Sequence, residues 1–115
     1  MKEIIDQTQN KKSFNFCLHE LSCSPELLKN LAFSAGKQIE NLFLIIVCKN
    51  EDKVYLTCYI SKNLVDDSKM NANNTIRNLS QFIEGSGGGQ PFFANATGTK
   101  LNGIPKLKEE VNKLF

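Results

Sequence analysis

Between Glu84 and Lys100 the chain reads Glu-Gly-Ser-Gly-Gly-Gly-Gln-Pro-Phe-Phe-Ala-Asn-Ala-Thr-Gly-Thr-Lys, and four of its seven glycines, Gly85, Gly87, Gly88 and Gly89, fall within five residues. Glycine loses more backbone freedom on folding than any other residue, so such a cluster persists where the backbone takes positive φ or where another backbone must come close. A slack linker is the other reading, and the flanks argue against it. Ile76, Leu79, Phe82 and Ile83 recur at helical spacing before the glycines, and a compact apolar run from Pro91 to Ala96, ending at Gly98, follows them. The glycines are therefore expected to form a loop held between a helix and a strand. Consecutive glycine N–H groups in a concave turn can cradle a phosphate or another anion, because no Cβ blocks its approach. A tight turn demanded by packing alone is the plainer alternative.

At 115 residues the chain fits one domain with a core that needs no metal or disulfide. Its longest apolar run, Leu42 to Cys48, is strand-sized and far short of a bilayer span, so no membrane partner is expected. The first residues, Met-Lys-Glu-Ile-Ile-Asp-Gln, lack the apolar core of a secretion signal, which points to a cytoplasmic protein. Cys17, Cys23, Cys48 and Cys58 contain no Cys-x-x-Cys pair and His19 is the only histidine, so neither a structural metal site nor a metal-based catalytic centre is expected. Cys17, Cys48 and Cys58 read as small core residues. The net charge of +2 neither requires nor excludes a nucleic-acid partner, and thirteen lysines against the single Arg77 reflect compositional bias.

Residues 1–13 are polar and read as a tail or linker stub, with the domain occupying 14–115. Phe14, Phe16 and Leu18 alternate with Asn15, Cys17 and His19, the pattern of a strand with one buried face and His19 on its less apolar side. Ser24-Pro25-Glu26 starts a helix whose stripe is Leu27, Leu28, Leu31, Ala32 and Ala35, with Gly36 marking its end. Leu42–Cys48 is apolar on both faces, as in a covered central strand. Residues 49–53 turn it into a second strand, where Val54, Leu56, Cys58 and Ile60 alternate with Tyr55, Thr57 and Tyr59. The tyrosines can stack on bases, but packing beneath a helix is the commoner use. Ser61 to Asn71 reads as a polar loop with room for one turn, in which Asp66-Asp67 is too small a carboxylate set for a cation. A helix over 74–83 leads into the glycines, and Ile104, Leu107, Val111 and Leu114 stripe a closing helix with Pro105 in its first turn. The expected fold is α/β: a single mixed sheet of about four strands with about three helices packed on it, and a glycine-rich loop before the last strand.

The run Gly85 to Gly98 resembles the glycine-rich motif of the C-terminal domain of alanyl-tRNA synthetases, in which glycines are followed by Arg or Gln, Pro and an Ala-x-Ala-x-Gly element. That domain is one branch of the DHH-associated C-terminal domains, whose exonuclease and phosphodiesterase members carry a histidine after the glycines; this chain has Gln90-Pro91 instead. Ser86 interrupts the glycine run, Gln90 stands where arginine is commoner, and Thr97 replaces a frequent glycine. Without that arginine, bidentate phosphate pairing at position 90 is lost.

The resemblance implies a non-catalytic fragment of a much larger ligase that binds the outer corner of tRNA(Ala), bridges the upstream aminoacylation and editing domains, and in some members forms homodimers. It implies no cofactor in this fragment, with ATP and magnesium used by the parent and zinc held in its editing domain. Gly87, Gly88, Gly89 and Gln90 would approach the sugar-phosphate backbone, and Lys69, Arg77 and Lys100, which flank the loop, would supply the attraction. Two alternatives remain open: a nucleic-acid clamp of a DHH-type phosphodiesterase or exonuclease, and a purely dimerising structural domain.

Overall fold

Leu42–Cys48 is buried along its whole length, and its two faces belong to two separate hydrophobic clusters. This double burial fixes the architecture, because a strand with no polar face needs a layer on each side. The structure, a computed structural model, describes residues 9–11, 14–21, 26–50, 53–68 and 71–114. Its elements are β1 (Gln9–Lys11), β2 (Phe14–Leu21), α1 (Glu26–Gln38), β3 (Leu42–Asn50), β4 (Lys53–Ile60), α2 (Lys62–Ser68), α3 (Ala72–Ser80), β5 (Ser86–Gly89), β6 (Phe93–Gly98) and α4 (Ile104–Leu114). Short 3-10 turns at Gln81–Ile83 and Leu101–Gly103 follow α3 and precede α4.

The sheet is mixed and has the order β1-β2-β3-β4-β6-β5. β2 and β3 are parallel, joined by α1 as a crossover, and every other neighbouring pair is antiparallel. Leu42, Leu44, Ile46 and Cys48 face Leu28, Ala32 and Ala35 of α1. Phe43, Ile45 and Val47 join Val54, Leu56, Cys58 and Ile60 under Ile76 and Leu79 of α3 and Leu107 and Val111 of α4. The mixed α/β sheet, the central strand and the hairpin to β4 agree with the sequence reading. Cys17, Cys48 and Cys58 are buried, as expected of small core residues.

Several boundaries differ, each for a physical reason. There are six strands and four α-helices among the described residues, against the expected four and three. Ser61–Asn71 is not simply a loop: α2 forms there because Leu64 is buried at 3% exposure and Ser61 starts it, its carbonyl accepting from Leu64 and Val65 N–H at 2.9 and 3.2 Å. Ser61 also closes the end of the β3–β4 ladder, its Oγ accepting from Leu42 N–H at 2.8 Å. Gln9–Lys11, inside the stretch read as a tail or linker stub, pairs antiparallel with β2. His19 lies on the same side of β2 as Cys17 and is 9% exposed, so that side is covered as well.

Gly36 is not the helix end; it is a notch. A Cβ there would strike the ring of Tyr59, which packs under α1 with Phe33 set edge-on at a centroid distance of 5.4 Å. The tyrosines thus take the packing role beneath a helix. The chain reverses instead at Asn41, with φ of 51°, a left-handed conformation that asparagine tolerates. Its carbonyl accepts from Asn15 N–H at 2.8 Å, and its side chain accepts from Asn63 Nδ2. The Ser24-Pro25 start signal, Cys23, Asp67 and Lys69 lie outside the residues whose side chains are described.

Candidate nucleic-acid interface

The glycine run is not a loop but the edge strand β5. Glycine has low strand propensity, so the strand arises from tertiary pairing rather than local preference. α3 is capped by Asn71, whose Oδ1 accepts from Asn74 N–H at 3.0 Å, and it runs into the 3-10 turn at Gln81–Ile83. Glu84 then takes φ of 51°, and Gly85 N–H donates to the Ser80 carbonyl at 2.9 Å, turning the chain back along α3. β5 pairs with β6 in the register Ser86↔Thr97, Gly87↔Ala96, Gly88↔Asn95 and Gly89↔Ala94.

The absence of side chains is what lets this strand dock. A Cβ at Gly85, Gly87 or Gly89 would come within 3.0 Å of the β6 backbone, at the Thr97, Asn95 and Phe93 carbonyls respectively. No described glycine has positive φ, so close approach, not backbone freedom, is the reason for the cluster. Gly88 is different. A Cβ there would meet only side chains of α3, Asn73 Oδ1 at 2.7 Å and Arg77 Nε at 3.7 Å. Asn73 and Arg77 are one helical turn apart, which places both over the same peptide. Asn73 Oδ1 also accepts from Gly89 N–H at 3.0 Å, pinning the strand to the helix.

This geometry removes the anion cradle anticipated for consecutive glycine N–H groups. In an extended strand successive N–H groups alternate in direction, and that of Gly89 is already bonded to Asn73. What is left is a thin, largely exposed strand with a guanidinium beside it.

Of the residues singled out in the sequence, Arg77, Gly87, Gly88 and Gly89 are brought together. Gln90 opens the tight turn Gln90–Phe93, its N–H donating to Phe93 O at 2.8 Å and its carbonyl accepting from Phe93 N–H at 3.3 Å. Lys100 is exposed at the opposite end of the hairpin, its N–H bonded to Ile83 O at 2.9 Å, so β6 separates it from Gln90 by roughly 20 Å at the rise of an extended strand. Two residues escaped sequence reasoning. Asn73 is sixteen residues from its partner Gly89, with no local signal of the contact. Phe92 is 43% exposed on a proline turn, a position where an aromatic ring merited notice.

Among the described residues no group of three His, Cys, Asp or Glu could hold a metal ion, and no helix is long and apolar enough to cross a membrane.

Comparison with known proteins agrees with the resemblance seen in the sequence. The chain is 40% identical over 101 residues to the alanine–tRNA ligase of Christiangramia forsetii, covering 88% of this chain and 12% of that protein. It is 34% identical over 110 residues to the alanine–tRNA ligase of Flavobacterium psychrophilum, covering 96% of this chain and again 12% of the relative. The chain thus spans about an eighth of the length of these ligases. Its fold matches the crystal structure of the C-Ala domain from Aquifex aeolicus alanyl-tRNA synthetase with a TM-score of 0.81 at 23% identity, over 92% of this chain and 95% of that one. Residues 13–115 match the DHHA1 domain, and the chain belongs to that family.

Proposed function

We propose that this chain is the non-catalytic, tRNA-binding C-terminal domain of an alanyl-tRNA synthetase, and that the β5–β6 hairpin with α3 is the surface that meets the RNA. The observation that carries the reading is Arg77 lying beside Gly88 on a strand that presents almost no side chains. A sugar-phosphate backbone can come close to such a strand, and a guanidinium next to it supplies a charge-assisted contact. Lys100 and Lys69 add attraction from either side of the hairpin in sequence, and Gln90 offers an amide at its tip. Phosphate contacts of this kind position a folded RNA without reading its bases, which suits recognition of the outer corner of tRNA(Ala).

On this reading the domain works in the cytoplasm beside upstream aminoacylation and editing domains of the same polypeptide. ATP, magnesium and the editing zinc belong to those domains. Homodimerisation of the parent is compatible with it.

The deciding experiment is binding of the chain to tRNA(Ala) and to an unstructured RNA of equal length, across a salt series. Preference for the folded RNA is expected. Arg77→Ala should weaken binding and reduce the salt slope by about one phosphate equivalent, with Lys100→Ala acting in the same direction. Equal or absent binding of both RNAs, together with a dimeric mass, would replace the RNA role with one in assembly.

A further inference from the structure

A cavity of about 420 Å³ opens at the end of the sheet beside the hairpin turn, between α1, β4 and α2. Its walls are the rings of Phe33, Tyr59 and Phe92 with Pro91, and Lys62 and Asp66 of α2 also line it, both exposed. We infer that this pocket receives one unstacked purine base of the bound RNA, held between aromatic rings with its hydrogen-bonding edge towards Asp66 and Lys62. The inference rests on the reading of the chain as an RNA-binding domain.

Three observations carry it. First, Phe92 is one of only two large apolar side chains exposed among the described residues, and its position is fixed rather than incidental. The Phe92 carbonyl accepts from Ile60 N–H at 2.9 Å, and the Pro91 carbonyl accepts from Ala72 N–H at 2.8 Å, so β4 and α3 both hold the turn. An exposed ring on a preorganised turn loses little freedom when a ligand stacks on it. Second, the wall behind it is already ordered, with Phe33 edge-on to Tyr59 and 5.1 Å from the Phe93 centroid. Flat aromatic surfaces of this kind take nucleobases without demanding a particular sequence.

Third, the charges at the opening choose between occupants. Lys62 and Asp66 stand exposed at the opening, where an aliphatic side chain from a protein partner would offer neither of them a hydrogen bond. A base presents ring faces to the aromatics and both donors and acceptors along its edge. Guanine, with adjacent N–H donors for a carboxylate, is the best match to Asp66. The pocket shares Pro91 and Phe92 with the Gln90–Phe93 turn that ends the proposed phosphate-facing strand.

The test is an amide-detected NMR titration of the 15N-labelled chain with guanosine 5′-monophosphate, with ribose 5-phosphate and N-acetyl-leucinamide as controls. Guanosine monophosphate should shift the amides of Phe33, Tyr59, Asp66 and Phe92, while ribose 5-phosphate leaves them in place. Phe92→Ala, at an exposed site, should keep the folded spectrum and weaken the nucleotide by at least about fivefold. Equal shifts from ribose 5-phosphate, no shift at millimolar nucleotide, or an unchanged affinity in Phe92→Ala would overturn the assignment. Equal or stronger response to N-acetyl-leucinamide would overturn it in favour of a protein side chain. Nucleotide binding in the pocket without any preference for folded tRNA would sink the RNA-corner reading while leaving the pocket standing. The reverse result would sink the pocket alone.

Discussion

The central strand β3 and the edge strand β5 are both strands of one sheet, yet opposite requirements specify them. β3 is fixed by what its side chains fill: Leu42–Cys48 is sealed between α1 on one face and α3 and α4 on the other. β5 is fixed by what its residues lack, since a methyl group at Gly85, Gly87 or Gly89 would run into the backbone of β6. The first kind of strand tolerates exchange of one apolar residue for another of similar volume. The second tolerates no addition, and it leaves the outer surface almost bare of side chains.

The contrast is most easily broken at the centre. Ile45 is fully buried between β2 and β4, so Ile45→Ala should cost about 2–5 kcal/mol in a urea or guanidinium unfolding curve, whereas Ile45→Val should cost about 0.5–1.5 kcal/mol. Equal losses from the two would mean that β3 is not filled by volume. Gly87→Ala should cost about 1–3 kcal/mol, because the new methyl meets the Asn95 carbonyl and the Ala96 side chain and the strand must shift to admit it. The two changes should also differ in reach. Ile45→Ala should raise amide exchange throughout the sheet, while Gly87→Ala should raise it in β5 and β6 first. A uniform rise in Gly87→Ala would show that the hairpin is not a separable unit.

These two modes of specification also decide what is legible in the sequence. The seven-residue apolar run can be recognised as a covered strand because a segment that short, apolar on both faces, fits a sheet buried between two layers. α4 is legible from Ile104, Leu107 and Val111, all of which are buried. α2 is hidden because Lys62–Ser68 is two turns of mostly polar residues, with Leu64 and Val65 packed inward, too short for a period to emerge. β5 is hidden because its pairing partner, not its own composition, makes it a strand. Gly36 looks like a helix end in sequence because its demand comes from Tyr59, twenty-three residues later in the chain. In the candidate site, the glycines and Arg77 draw notice by composition and position. Asn73 does not, because a hydrogen bond to a glycine N–H leaves no trace in sequence.

Asn73 sharpens the contrast at a smaller scale, since its side chain ties β5 to α3 through the hydrogen bond from Gly89 N–H. Asn73→Ala should cost about 0.5–1.5 kcal/mol and speed exchange of the Gly89 amide specifically. Asn73→Asp keeps an acceptor for that amide, so it should restore the protection while placing a negative charge beside Arg77. If the hairpin is the RNA surface, Asn73→Asp should therefore bind tRNA more weakly than Asn73→Ala. The opposite order would separate the stability of β5 from its proposed use.

The smallest effect is expected on the far side of the sheet, where charge rather than packing or backbone approach ties elements together. Glu20 of β2 meets Lys108 of α4 and, at 2.6 Å, Lys49 of β3. The Lys108 hydrogen bond, followed by that of Lys49, holds the Glu20 carboxyl below its ordinary value of 4.5. A carboxyl lowered in the folded state gives stability that is fully present above its unfolded value and is lost as the pH falls through the folded one. Both lysines are exposed at more than a third of their side-chain surface, so solvent screening limits the contribution to no more than about 1 kcal/mol. Glu20→Gln should lower Tm slightly at neutral pH, and the difference should vanish as the pH falls through the lowered folded value, where the wild-type carboxyl also loses its charge. A loss in Glu20→Gln that stayed constant down to about pH 2 would assign the contact to shape rather than charge. β2 would then be held on α4 by the same kind of fitting as β3.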